Sequence, residues 1–166
     1  MTCRSVRSAG ILGFVLAVGL LGLAAPGAQA QLNFGIHAAR AAKAFGGANG
    51  LGASLELSVP VLPVDVMVAG DWFRPDCGTA SGCSFLGAGA DVHFAMPFPV
   101  LQPYGLAGVV VRRSKQADGF DTRSDRGLAL GVGVNLRSLV VGAYGEARYE
   151  FVDPKREFVF RLGLRF

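Results

Sequence analysis

Glu157-Phe158-Val159-Phe160-Arg161-Leu162-Gly163-Leu164-Arg165-Phe166 is the stretch that decides the fold. In an extended chain, successive side chains point to opposite faces. Phe158, Phe160, Leu162, Leu164 and Phe166 therefore share one face, and Val159, Arg161, Gly163 and Arg165 share the other. Five large apolar groups in a row need an equally apolar surround. Two guanidinium groups on the reverse side need water or carboxylates. Such a strand suits a sheet that turns its polar side inward and its apolar side out.

The same alternation recurs upstream. Leu32 to Ala42 sets Leu32, Phe34, Ile36 and Ala38 against Asn33, Gly35 and His37. Gly50 to Val59 sets Leu51, Ala53, Leu55, Leu57 and Val59 against Gly52, Ser54, Glu56 and Ser58. Val64 to Phe73 sets Val64, Val66, Val68 and Trp72 against Asp65, Ala69 and Asp71. Ser84 to Phe94 sets Leu86, Ala88, Ala90, Val92 and Phe94 against Gly87, Gly89, Asp91 and His93. Tyr104 to Val111 is apolar on both faces in its second half, and its register is not assignable. Arg126 to Leu136 and Leu139 to Phe151 alternate again, the latter placing Tyr144, Glu146, Arg148 and Glu150 on its polar face. With the terminal stretch, this gives eight strands.

The connectors alternate as well. Lys43–Asn49, Arg74–Cys83, Arg112–Asp125 and Val152–Arg156 are polar, charged or glycine-containing. Pro60–Pro63, Ala95–Pro103 and Arg137–Ser138 fall between them, and two of these are rich in proline, which ends strands sharply. Longer polar loops at one end and shorter turns at the other match a membrane barrel with both chain ends on the turn side. Gly46-Gly47-Ala48-Asn49-Gly50 lacks the Lys-Ser/Thr of a phosphate loop and reads as a hairpin turn.

Residues 1–30 read as a secretory signal peptide. Arg4 and Arg7 form a basic start, Ile11 to Ala25 an apolar run, and Ala28-Gln29-Ala30 a small-x-small cleavage box. Cleavage after Ala30 leaves a single domain over 31–166. The formal net charge is +4, and the leader supplies two of those charges, too little to argue for nucleic acid. Mean hydropathy is +0.42. After the leader, no apolar run approaches the roughly 20 residues of a spanning helix. Cys77 and Cys83 flank the short polar stretch 78–82, and in an exported chain they read as a disulfide.

A soluble lipocalin-like barrel would also have eight alternating strands, but with its apolar face inside and a charge-rich face outside. Here the polar face is mostly Gly, Ala, Ser and Asn with isolated charges, and the apolar face is mostly Leu, Val and Phe. A narrow interior has room for the first set and not the second. The expected fold is all-β: an eight-stranded antiparallel up-and-down transmembrane β-barrel behind a cleavable signal peptide. The soluble ligand-binding barrel is the alternative.

The chain resembles the small outer-membrane barrels of the OmpX, OmpW, opacity-protein and OmpA-barrel type. The resemblance is architectural, except for Phe158, Phe160, Leu162, Leu164 and Phe166, which look like the terminal pattern read by the outer-membrane assembly machinery. It implies a monomer in the outer membrane of a Gram-negative-type bacterium, with membrane lipid and lipopolysaccharide as partners. No cofactor, metal or nucleic acid is expected.

Three constellations could carry chemistry. Tyr144, Glu146, Arg148 and Glu150 face Arg161 and Arg165 across the last hairpin. If Phe151 and Phe158 flank the turn, Arg148 meets Arg161, and Tyr144 meets Arg165. Buried charges must pair, so a structural ion network filling the lumen is expected, with a proton or ion path as the rival. Asp65, Asp91 and His93 invite a metal or catalytic reading, but no Ser or Cys nucleophile lies in an obvious register, and a metal site wants a further ligand, for which Glu56 is a candidate. Arg112, Arg113 and Lys115 begin the longest loop and are expected at the outer rim, against lipopolysaccharide phosphates. The expected function is non-catalytic: membrane integrity, or surface interaction through the loops. A narrow channel for small solutes or ions is the alternative.

Overall fold

A computed structural model describes residues 31–42, 47–58, 63–74, 84–115, 122–136, 141–153 and 155–166. The leader 1–30 and the Cys77–Cys83 pair lie outside the described residues, as does the side chain of Lys115. Eight strands follow one another: β1 Gln31–Ala41, β2 Ala48–Ser58, β3 Val64–Arg74, β4 Ser84–Ala95, β5 Leu101–Lys115, β6 Thr122–Leu136, β7 Gly142–Val152 and β8 Lys155–Arg165. Each pairs antiparallel with its chain neighbour, and β8 returns to β1 to close a barrel. That closing ladder runs from Gly35↔Arg165 to Ala41↔Val159. It is lengthened at the chain's end, where Phe166 N donates to Phe34 O at 2.8 Å and Phe34 N to Phe166 O at 3.1 Å.

The two faces are as the alternation demands. Leu32, Leu51, Leu128, Val132 and Leu162 all stand outside, each more than half exposed, with Leu162 at 71%. Glu56, Asp71, Asp91, His93, Glu146, Arg148 and Arg161 are buried inside. Such an interior has no place for the apolar ligand of a lipocalin-like barrel. One apolar grouping among the described residues inside is small. Ala39, Ala41, Ala48, Phe73, Phe85 and Val159 form a plug at the loop end, where Phe73 and Phe85 stack 4.3 Å apart. At this end Gly47 takes a φ of 97°, a left-handed turn conformation that favours glycine.

Two parts of the sequence reading change. The stretch Arg112–Asp125 is mostly strand rather than loop. β5 and β6 stay paired through Arg112↔Asp125 and Arg113↔Ser124 to Lys115↔Thr122. Charged residues suggest a loop, yet Arg112 and Arg113 continue the alternation, one pointing in and the other out. This also gives β5 its register: Gln102, Tyr104, Leu106 and Val110 are buried inside, while Leu101, Val109 and Val111 are exposed outside. The proline-rich connector shrinks to 96–100, because β5 begins at Leu101 and includes Pro103.

The second change is the β7–β8 register. Val152↔Lys155 is its last pair, so the hairpin closes two residues more tightly than expected. Tyr149, rather than Phe151, lies opposite Phe158, and Glu146, rather than Arg148, lies opposite Arg161. A two-residue shift leaves every side chain on its expected face, so alternation alone does not reveal it.

Cross-linking tests this register. In a chain without native cysteines, oxidation should join Tyr149→Cys to Phe158→Cys. It should leave Phe151→Cys and Phe158→Cys apart, since diagonal neighbours about 7–8 Å apart exceed the usual disulfide span. The opposite result, read by mass spectrometry, would restore the looser hairpin.

Candidate functional site

Among the described residues, the lumen gathers chemistry-bearing side chains from most strands. At its centre, Arg148 from β7 is fully buried. Its Nη1 and Nη2 donate to the two Asp91 oxygens from β4 at 2.8 and 2.9 Å. Nη1 also reaches Glu146 at 3.4 Å, and Nε lies 3.1 Å from Glu150. The fork holds Asp91 through both oxygens, the geometry in which an arginine–carboxylate pair is strongest.

Arg161 from β8 makes a second fork. Its Nε donates to Asp71 Oδ1 at 3.2 Å, Nη2 donates to Asp71 Oδ2, and Nη1 donates to Glu146 at 3.2 Å. Asp71 also meets His37 Nε2 at 2.8 Å, and His37 Nδ1 meets the Tyr144 hydroxyl at 2.8 Å. An ionised carboxylate can only accept, so Nε2 carries the proton donated to Asp71, while Nδ1 and the Tyr144 hydroxyl share the second hydrogen bond. Toward the loop end, Glu150 and Glu157 stand directly opposite each other on β7 and β8. Arg112 from β5 bridges them, with contacts of 2.8 and 2.5 Å to Glu150 and 2.5 Å to Glu157. Arg112 thus turns its charge into the lumen rather than toward the rim, a correction to its expected lipopolysaccharide contact; Arg113 points outward.

The half nearer the chain ends is built differently. Arg165 reaches Glu56 at 2.8 Å and lies over the Tyr144 ring. Tyr104 donates to Glu146 at 3.2 Å and stacks on His93 with ring centroids 4.6 Å apart. His93 lies 3.7 Å from Glu56 and 4.0 Å from Glu146, beyond hydrogen-bond reach of either. Neither of its nitrogens has a hydrogen-bond partner, and the same holds for Glu56 Oε2, Gln102 Oε1, Asn135 Oδ1 and Arg165 Nη2. Asp65 lies opposite His93 in the ladder, but Asp91 is committed to Arg148, so the expected Asp65–Asp91–His93 trio is split. Among the described residues, no group of His, Cys, Asp and Glu is placed to hold a metal ion.

Glycines make the space for this network. A Cβ at Gly108 would strike the Asp91 carboxylate, and one at Gly133 would strike the Tyr104 ring. Both glycines face inward beside a large polar group on a neighbouring strand, which is why the narrow interior can hold such groups at all.

Tyr144, Glu146, Arg148, Glu150, Arg161 and Arg165 all point into the lumen. The sequence reading missed His37, Asp71, Tyr104, Arg112 and Glu157 as their partners. The polar-face pattern placed His37 and Asp71 inward, but only the register brings them to Arg161 and Tyr144. Removing Arg148 strands Asp91 and disturbs Glu146 and Glu150. Arg148→Met should cost about 3–5 kcal/mol in reversible urea unfolding of the detergent-folded barrel. Adding Asp91→Leu should recover part of that loss, because the stranded carboxylate goes with it. An additive double variant would mean that the pair is not coupled.

No family model matches the chain, and no curated protein matches it in sequence. Solved structures do match. The N-terminal β-barrel domain of Pseudomonas aeruginosa OprF is 16% identical with a TM-score of 0.66, over 83% of this chain and 98% of that one. Neisserial surface protein A is 17% identical with a TM-score of 0.56, over 82% of this chain and 97% of its own. Ail, the attachment invasion locus protein of Yersinia pestis, is 15% identical with a TM-score of 0.56, over 84% and 99%. Together with the closed eight-strand ladder and its inverted faces, these matches show that the chain has the fold of the small eight-stranded outer-membrane barrels.

Proposed function

We propose that the chain is a monomeric, non-catalytic barrel of a Gram-negative-type outer membrane. Its lumen is sealed, and it serves membrane integrity or surface contact through its loops. The observation that carries this reading is the inversion of the barrel: apolar Leu, Val and Phe outside, and forked ion pairs inside. In hydrocarbon every backbone donor and acceptor must be paired, and a closed ladder meets that demand. The aromatic plug of Phe73 and Phe85, then the Arg112, Arg148 and Arg161 bridges, occupy the path in succession. The site residues hold one another, which supports a structural role over a catalytic one.

A narrow channel is the second reading. It is favoured by the unpartnered polar atoms of Glu56, His93, Gln102 and Asn135, a lining that suits water. Above them, Arg148 and Arg161 cross the lumen, so the polar half reads as a blind vestibule.

Electrophoretic mobility tests the membrane reading. The detergent-folded chain from Gln31 should run faster unboiled than boiled, and deleting 155–166 should abolish the difference. Leu162→Arg, at a strongly exposed outward position, should weaken folding into lipid by about 2–4 kcal/mol. In planar bilayers the native protein should pass no steady current. A reproducible unitary conductance would replace the sealed barrel with the channel.

A further inference from the structure

The outward faces of the strands carry charge of one sign at one end. Arg40 on β1, Arg74 on β3, Arg113 on β5, Arg126 on β6 and Arg156 on β8 all point outward at the loop end. Among outward-facing strand residues whose side chains are described, there is no Asp or Glu, and no charge at the opposite end. Arg74 lies over Trp72, its guanidinium 4.4 Å from the ring centroid.

Three of the five arginines form a group. Arg113 faces Ser124 on β6, so Arg126 is its diagonal neighbour, roughly 7–8 Å away. Arg156 faces Phe151 on β7, and Phe151 faces Leu128, the next outward residue on β6 after Arg126. Like charges this close on an apolar wall repel, unless an anion lies between them. The acids next to them in sequence, Asp125 and Glu157, point inward, which leaves Asp153 in the β7–β8 turn as the described carboxylate beside Arg156 on this side.

The same wall is hollow next to two of these arginines: Arg126 is one outward position from Leu128 on β6, and Arg156 pairs with Phe151 on β7. A groove of about 580 Å³ is lined by Ala107 and Val109 of β5, Leu128 and Leu130 of β6 and Phe151 of β7, floored by Gly108 and Ala129. Its cause is local: outward-facing Ala107 is small, and it lies opposite the larger Leu130. An apolar slot with arginines toward its loop end matches a molecule with an acyl chain at one end and an anion at the other. Arginine forks suit the several oxygens of a phosphate.

We propose that this face binds one phosphate-bearing lipid, with an acyl chain in the groove and its headgroup held by Arg113, Arg126 and Arg156. The assignment rests on the membrane reading above and gives that reading a specific lipid partner.

Native mass spectrometry of the detergent-folded chain tests it, with dioleoyl phosphatidate and dioleoyl phosphatidylcholine as probes of identical chains. One phosphatidate should be retained in preference to phosphatidylcholine. Arg126→Gln and Arg156→Gln, singly, should each weaken that retention about tenfold, roughly one charge-assisted contact. Ala107→Phe, which fills the groove and spares every arginine, should weaken it too. Arg40→Gln, away from the groove, should leave it unchanged. Equal retention of both lipids overturns the site. So does equal weakening by Arg40→Gln, which would mean diffuse attraction to the whole rim, or full retention in Ala107→Phe. Each variant is scored on protein that shows the unboiled mobility shift. Absence of that shift in the native chain would overturn the membrane reading, and the lipid site with it.

Discussion

Closure of the ladder between β1 and β8 is the constraint on which the rest depends. An eight-stranded sheet with an apolar outer face cannot leave an edge open in hydrocarbon, because each unpaired backbone group there costs several kcal/mol. The first and last strands must therefore meet, and they do so from Gly35↔Arg165 to Ala41↔Val159. Phe166 extends the seam through its own backbone. The terminal stretch thus does two jobs at once. Its outward Phe and Leu side chains join the apolar belt, while Arg161 and Arg165 reach inward to Asp71, Glu146 and Glu56.

Once the barrel is closed, its interior has a charge problem. Glu56, Asp71, Asp91, Glu146, Glu150 and Glu157 are buried, and Arg112, Arg148, Arg161 and Arg165 answer them. Carboxylates outnumber guanidinium groups among these described residues. The arginines respond by sharing: Arg112 bridges two opposed glutamates, and Arg161 serves both Asp71 and Glu146. Neutral donors take up what remains, Tyr104 at Glu146 and His37 at Asp71. The network is therefore collective. Loss of one arginine exposes more than one carboxylate, and the cost falls on the whole plug rather than on a pair.

Much of this was legible because side-chain alternation is a local property. The faces of Leu86 and Asp91, or of Leu162 and Arg161, follow from counting by twos, and the strand count follows from the turns. Partnership across the lumen is not local. Asp91 and Arg148 are 57 residues apart, and Asp71 and Arg161 are 90 apart. Which of them meet depends on register, tilt and closure together. The β7–β8 shift makes the point: moving the hairpin by two residues kept Glu146 inward but exchanged its opposite number. The β5–β6 extension was hidden for another reason. Arg112, Arg113 and Asp125 read as loop chemistry, yet they continue a strand whose one side faces a carboxylate-lined lumen and whose other side faces the edge of an apolar belt.

The glycines tie these levels together. Their place on the polar face of the strands first suggested only a narrow interior. With the register known, Gly133 lies beside Tyr104 and Gly108 beside Asp91, each on the strand next to a group too large to face another side chain. Removing the Cβ from one strand lets its neighbour send a long polar side chain across the barrel. That exchange puts the bulky polar groups in the middle and leaves the bulky apolar ones on the outer face. Filling the lumen with paired charges and greasing the exterior are thus one packing solution. A wider interior would separate the forks from their carboxylates, and a bulkier one would force the arginines out toward the lipid side.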